Sequence, residues 1–395
     1  MVATPERPNI DERIATLRRA LEGIIGVPAT EGNDIEILRN GDEIFPAMLG
    51  AIAEAEHTID FLTFVYWRGE IGTAFAEALA ERAREGVRVR VLLDGWGCSS
   101  IERSLLKLME DAGVHVRWFR PLTRLQLHKA NHRTHRKVLI VDEEVGFTGG
   151  VGIADEWKGD ARNENEWRDT HFRVRGPSVD GLRAAFLDNW RETDDTLFQH
   201  PIDRFPDQPQ AGSSVVQCVR GASETGWSDI STLFLSLLQL AQERIRITTA
   251  YFVPDTDLND RLCAAADRGV SVEVLLPGPH ADKRFVQLAA ESTFERLLDH
   301  GVHIWRFQPS MLHAKIMTVD GLLANVGSAN LNARSTELDE EVNLVVFDPL
   351  LVRHLDDQFD EDLERSEPIV ASRWDDRSIR QRVSERVAGL LRHEM

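Results

Sequence analysis

Apolar positions along the chain follow two kinds of pattern. Ile10, Ile14, Leu17, Leu21 and Ile24 recur at helical spacing and predict an amphipathic helix near the N-terminus. Further on, short continuous apolar runs rich in β-branched and aromatic residues predict buried strands. Ile59 to Tyr66 and Ile245 to Phe252 are two such runs, each preceded by a helical pattern: Met48 to Ala55 and Leu233 to Ala241. Each is followed by a second helix and a strand led by glycine, the expected left-handed stop of a helix. Gly86 opens Val87 to Leu93, and Gly269 opens Val270 to Leu276. A third pair repeats the device, with Gly113 before Val114 to Phe119 and Gly301 before Val302 to Phe307. The same units therefore occur twice in the same order, an internal repeat. Helices alternating with short apolar strands predict two similar α/β lobes with largely parallel pairing.

The expected organisation is a leader with its amphipathic helix at 1–34, a first lobe at 35–195, a linker at 196–214 and a second lobe at 215–365. A basic amphipathic helix at 366–395 completes it. The linker is polar and carries Pro201, Pro206, Pro209 and Gly212-Ser213-Ser214. In the tail, Ile379, Val383, Val387 and Leu391 lie at helical spacing among Arg373, Arg377, Arg380, Arg382, Arg386 and Arg392. Such a helix can lie on an anionic membrane or pack on the body. The N-terminal helix has the same two options, with a partner subunit as a third.

Composition narrows the function classes. Hydrophobic residues at 42% and charged residues at 28% are globular proportions. With 46 basic and 65 acidic residues the formal charge is −19, so nucleic acid is not an expected partner. An anionic membrane should also repel the chain unless a local basic patch intervenes. Cys98, Cys218 and Cys263 show neither metal-type spacing nor a disulfide framework, which suits a reducing cytoplasm. No apolar run approaches the roughly 20 residues of a membrane span. No secretory signal is present either, so membrane contact is expected to be peripheral, at the inner face of the cell membrane.

The candidate chemistry sits at one point of each repeat. His135-x-Lys137 is followed after four residues by Asp142, and His313-x-Lys315 after four residues by Asp320. Strand alternation puts His and Lys on one face. Small residues follow, Gly149-Gly150-x-Gly152 in one copy and Gly327-Ser328-x-Asn330 in the other. They let a phosphate approach the backbone and supply donors through Gly150, Ser328 and Asn330. Two imidazoles and two ammonium groups converging between lobes suit phosphodiester chemistry. One His can attack phosphorus while the other handles the proton of the leaving or entering oxygen. The lysines would stabilise the non-bridging oxygens, and no metal or other cofactor is needed.

At these motifs the sequence resembles the phospholipase D superfamily. It is most similar to the cardiolipin synthase branch of the short bacterial type without N-terminal membrane spans. The resemblance runs from about Ile35 to Asp348. It includes Asn332-x-Arg334-Ser335, Glu341-x-Asn343, Trp167-Arg168-Asp169-Thr170, Asn40 to Glu43 and Thr63 to Tyr66. It implies two α/β/α sandwich lobes with one active site between them. It also implies a phosphohistidine intermediate with His135 as nucleophile and His313 as general acid and base. Asp169 and Glu341 are the candidate carboxylates for fixing the imidazole tautomers, in an order the sequence leaves open. Asp142 and Asp320 belong to the motif, but their place after a strand fits braces better than chemistry. Asp339 departs from the family, whose members often carry Asn there.

From Arg120 to Lys137 the chain is basic and holds no Asp or Glu, ten residues longer than its counterpart in the second lobe. It is either a solvated loop or an anionic-headgroup and membrane clamp in which Arg124, Lys129 and Arg133 make the contacts. His128, His132 and His135 do not form a zincin motif, because Lys129 replaces the required acid. The main expectation is a phosphatidyltransferase that moves a phosphatidyl group from phosphatidylglycerol or a similar phospholipid to a lipid hydroxyl. The rivals are a phospholipase D hydrolase, a nuclease or other phosphodiesterase, and an inactive membrane-binding scaffold. The oligomeric state is not legible.

Overall fold

The computed structural model describes residues 9–121, 131–193, 205–221 and 228–371. Its strands form one 15-stranded sheet, ordered β15-β11-β10-β9-β12-β13-β14-β8-β1-β7-β6-β5-β2-β3-β4. The two halves of that order mirror each other about the β1–β8 contact. In the first lobe, β1 (Thr30–Arg39) runs antiparallel to β7 (Thr170–Arg175), followed by β6 (Val145–Gly149) and β5 (Val138–Val141). Then come the parallel strands β2 (Thr58–Thr63), β3 (Arg88–Asp94) and β4 (His115–Phe119). In the second lobe β8 (Ser214–Arg220), β14 (Val342–Phe347), β13 (Leu323–Gly327) and β12 (Ile316–Val319) repeat the antiparallel part. There β9 (Arg244–Thr248), β10 (Ser271–Pro277) and β11 (His303–Phe307) repeat the parallel part.

The strands are short and apolar because both faces are covered. In β5, Leu139 and Val141 face a core with the helices α2 (Asn40–Glu54), α3 (Glu70–Arg84) and α4 (Arg103–Asp111). Val138 and Ile140 face the opposite way, into a core shared by both lobes with the helices α5 (Val179–Trp190) and α9 (Pro349–Glu364). That shared core holds Phe172 and Val174 of the first lobe beside Val326 and Leu344 of the second. The second lobe's own core lies under α6 (Asp229–Leu240), α7 (Thr256–Asp267) and α8 (Arg284–Asp299).

The N-terminal helix α1 (Ile10–Ile25) starts at a capping box between Asn9 and Glu12 and ends at a left-handed Gly26. Its Leu17, Leu21 and Ile25 are buried in the second lobe's core, so packing on the body is its role in this structure. At the other end, residues 366–368, expected to open the basic helix, instead form β15 (Ser366–Pro368), which pairs antiparallel with β11. The rest of that tail, from residue 372, lies outside the described residues, as do 194–195 at the end of the first lobe and 196–204 of the linker.

Candidate active site

The site is assembled by backbone first. The His135 N–H donates to the Glu340 carbonyl (2.9 Å) and the Glu340 N–H to the Arg133 carbonyl (2.8 Å). On the other side the His313 N–H donates to the Arg168 carbonyl (2.7 Å) and the Arg168 N–H to the Met311 carbonyl (2.8 Å). The segment entering β5 is thus stitched to the segment entering β14, and that entering β12 to that entering β7. The next residue after each stitch is a carboxylate, Glu341 or Asp169.

Each carboxylate serves the imidazole of the opposite lobe. His135 Nδ1 lies 2.9 and 3.1 Å from the Glu341 oxygens, and His313 Nδ1 lies 2.8 Å from Asp169 Oδ2. A carboxylate acceptor puts the ring proton on Nδ1 and leaves the Nε2 lone pair for chemistry. Both acids are fully buried and held by donors. Glu341 accepts from Ser328 Oγ (2.5 Å) and Ser335 Oγ (2.7 Å). Asp169 accepts from Trp157 Nε1 (2.8 Å) and the Thr170 N–H (2.8 Å). Gly150 is the first-lobe counterpart of Ser328, and a Cβ there would fall 2.2 Å from Asp169 Oδ1. Glycine is needed because the carboxylate occupies the space of a side chain.

Lys137 and Lys315 complete the cluster. The Lys137 ammonium donates to the His135 carbonyl (2.7 Å) and lies 5.4 Å from the Phe64 ring centroid. Lys315 donates to the His313 carbonyl and lies 3.0 Å from His313 Nδ1 and 3.3 Å from Nε2. Burial is the largest influence on all six ionisable groups. It lowers both imidazoles to about 4, against the pull of their carboxylates, with the two lysines adding to the fall. It lowers Lys137 to about 8 and Lys315 to about 7, against the nearby acids. It pushes Asp169 and Glu341 up, but the imidazole and lysine charges and the hydrogen bonds outweigh it and hold both near 2. Each lysine influences both imidazoles, so the four groups share one electrostatic site. Neutral imidazoles beside carboxylate anions and ammonium groups can bind an anionic phosphodiester and attack it.

Asp142 and Asp320 stand apart from this cluster, beyond strands β5 and β12 that are each on the order of 13 Å long. The Asp142 carboxylate accepts from the backbone N–H groups of Glu56, His57 and Thr58, all at 2.7 Å. Asp320 does the same for Gln242, Glu243 and Arg244 and pairs with Arg13 of α1. Both occupy left-handed backbone, φ 50° and 54°, which costs an L-residue roughly 1–2 kcal/mol. Three charge-assisted bonds to backbone, each worth about 1.5–3 kcal/mol, offset that strain. The two aspartates tie the start of β2 and β9 to the end of β5 and β12.

The basic segment needs correction. Arg133 is buried, not exposed at a headgroup surface. Its guanidinium pairs with Asp94 (3.0 Å) and donates to the carbonyls of Phe119 and Arg120. Arg120 pairs with Glu192 and Glu340, and Arg136 donates to the carbonyls of Glu341, Ala185 and Gly221. Charge counting along the sequence cannot see partners such as Asp94, which arrive from distant strands. Arg124 and Lys129 lie outside the described residues.

Of the aromatic neighbours of the imidazoles, Trp157 was not singled out by the sequence, whereas Trp167 and Phe64 lie in segments that carry the family resemblance. Phe64 packs edge-on to His135, with ring centroids 5.0 Å apart. His313 is ringed by Trp157 (5.2 Å), Trp167 (5.4 Å) and Tyr251 (6.1 Å). Two tryptophans within twelve residues of Asp169 were the available signal. Asn330 and Asp339 are buried, and Asn330 Oδ1 and Asp339 Oδ1 have no hydrogen-bond partner among the described residues. The other Asp339 oxygen accepts from Arg334 (2.9 Å). Burial, opposed by Arg334 and reinforced by Glu341, pushes Asp339 up to about 7.

Comparison with known proteins gives the same architecture. The family described as cardiolipin synthase, PLD-like domain, matches residues 48–167 and 234–363, one segment in each lobe. Cardiolipin synthase 1 of Bacillus cereus is 33% identical over 384 residues, covering 95% of this chain and 75% of the relative. Cardiolipin synthase 2 of Bacillus anthracis is 36% identical over 362 residues, covering 90% and 69%. The crystal structure of phosphatidylserine synthase from Haemophilus influenzae Rd KW20 matches at a TM-score of 0.72 and 14% identity, over 96% of this chain and 100% of that one. Polyphosphate kinase from Porphyromonas gingivalis matches at 0.58 and 13%, over 86% of this chain and 49% of that one. The family match and these structural likenesses together establish the fold: two phospholipase D-type α/β lobes.

Proposed function

The chain belongs to the cardiolipin synthase family of phospholipase D-like enzymes, and on that premise we propose that it transfers a phosphatidyl group from phosphatidylglycerol, or a similar phospholipid, to a lipid hydroxyl. The observation that carries the reading is the pair of crossed His–carboxylate dyads with a lysine on each. His135 Nε2 attacks phosphorus as the bond to glycerol oxygen breaks, and His313 supplies the proton to the leaving alkoxide. The acceptor hydroxyl then gives its proton to His313, its oxygen bonds to phosphorus, and the His135–phosphorus bond breaks. Both lysines donate to the carbonyl of the histidine two residues before, but Lys315 also crowds both ring nitrogens of His313. This favours His135 as the unobstructed nucleophile. An arriving phosphodiester anion offsets the two ammonium charges and makes the His313 imidazolium accessible for proton transfer.

No helix among the described residues is long and apolar enough to cross a membrane. The lipid substrates place the enzyme at a membrane surface, and we assign it a peripheral position on the cytoplasmic face. The test is product analysis with headgroup-labelled phosphatidylglycerol vesicles, using the wild type and its His135→Ala form. Cardiolipin plus free glycerol from the wild type alone is the expected result. Phosphatidic acid plus glycerol would make water the acceptor and the enzyme a hydrolase. Absence of lipid turnover would overturn the reading.

A further inference from the structure

We propose that the second lobe carries a slot for one acyl chain of the substrate lipid, roofed by the first turns of α8; the proposal rests on the phospholipid reading above. The observation is a difference between otherwise matching units. Helices α4 and α8 end alike, before Ala112-Gly113 and His300-Gly301, but α4 has 9 residues and α8 has 16. The extra residues, 284–290, stand where the first lobe has the tight loop 96–102. That loop is packed flat. Trp67 Nε1 donates to the Gly97 carbonyl (3.1 Å), and Cys98 Sγ lies 3.3 Å from the Phe64 carbonyl. A Cβ on Gly97 would sit 2.0 Å from that same carbonyl, so the first lobe has no gap there.

In the second lobe the extra turns cover a narrow apolar gap, walled by Phe252, Leu276, Pro277, Val286, Ala290 and Phe294. Such walls favour methylene groups over water. Tyr251 links the cavity to the chemistry. It lines the cavity, and its ring stands edge-on to His313 at 6.1 Å. Its hydroxyl donates to Asp282 (2.8 Å), and the Lys283 ammonium lies 4.8 Å from its ring centroid. An apolar interior with a cationic lip, one ring away from the phosphate site, fits a phospholipid whose phosphate lies between the two imidazoles. The cavity is narrow, and a water-sized sphere fits at hardly more than one place in it. A chain would enter by lifting the first turns of α8. Those turns have no side-chain cap, and their Phe285 is exposed.

Two measurements test the slot. The first compares kcat/KM on dioleoyl- and dihexanoyl-phosphatidylglycerol for wild type and Val286→Trp, a half-buried position where added bulk fills the cavity. The long-chain to short-chain ratio is expected to fall at least ten-fold in the variant; an unchanged ratio would overturn the slot. The second needs no variant. Phosphatidylglycerol bearing a diazirine midway along one acyl chain is irradiated with the wild-type protein and the labelled peptides are mapped. Adducts on 251–254 or 284–297 are expected, and adducts confined elsewhere would overturn the slot. Lipid turnover with labelling elsewhere sinks the slot alone. Labelling in the slot without turnover sinks the transferase reading and leaves the slot as a lipid site.

Discussion

The two lobes present the same imidazole in different surroundings. His135 faces Phe64, and its carboxylate partner Glu341 is held by two serine hydroxyls. His313 sits among Trp157, Trp167 and Tyr251, touches Lys315, and relies on an aspartate held by an indole and a backbone N–H. Two lobes with matched backbone positions for the motif can divide labour only through such differences in surroundings. The first-lobe environment leaves a ring nitrogen open for bond formation. The second encloses its imidazole beside a lysine, as suits a group that passes a proton.

That division can be broken by mutation. His135→Ala and His313→Ala should each lower turnover on the order of 10⁴-fold. Rapid-quench kinetics should separate them: loss of His135 abolishes any covalent phosphoenzyme, whereas loss of His313 slows its formation and its transfer. A phosphoenzyme that persists in His135→Ala would reverse the assignment. Glu341→Gln and Asp169→Asn should each cost about 10²- to 10⁴-fold, because an amide in place of the anion weakens control of the Nδ1 proton. The prediction fails if either variant keeps wild-type kcat.

The free-enzyme pH profile sharpens the comparison. Below about pH 4 His135 gains a proton and loses its nucleophilic lone pair, so kcat/KM should fall as pH drops through that range. Lys315 and then Lys137 lose their charge as pH rises through about 7 and 8, and kcat/KM should fall again there. A profile flat from pH 6 to 9 would contradict the lowered titration of the two lysines.

Smaller effects are expected from the braces. Asp142→Ala and Asp320→Ala should lower stability by about 2–4 kcal/mol, measured by urea unfolding, through loss of their backbone hydrogen bonds. The folded fraction should keep kcat within a few-fold; a loss like that of the histidine variants would make these aspartates chemical. The mildest change is Asp339→Asn, which replaces a buried carboxyl with an amide of the same shape. Removing its charge should lower the alkaline limb of kcat/KM slightly, because Asp339 helps hold the Lys137 proton.

The repeat, the lobes and the His-Lys pairs were legible because each is written twice in sequence with intact spacing. The carboxylate assignment was not. His135 and Glu341 are 206 positions apart, and His313 and Asp169 are 144 apart. Nothing local distinguishes crossed from uncrossed pairing. Arg133 was misread for a related reason: its partner Asp94 ends a strand 39 positions away. Trp157 was not legible as a neighbour of His313, because nothing local shows that the two rings will meet.

The crossed pairing also has a consequence in time. A ribosome adding about 5–20 residues per second releases His135 some 10–40 s before Glu341. For that interval the first half of the chain holds the proposed nucleophile without its carboxylate partner. On the proposed mechanism, a nascent or truncated chain ending before Glu341 lacks an assembled site and should turn over no lipid.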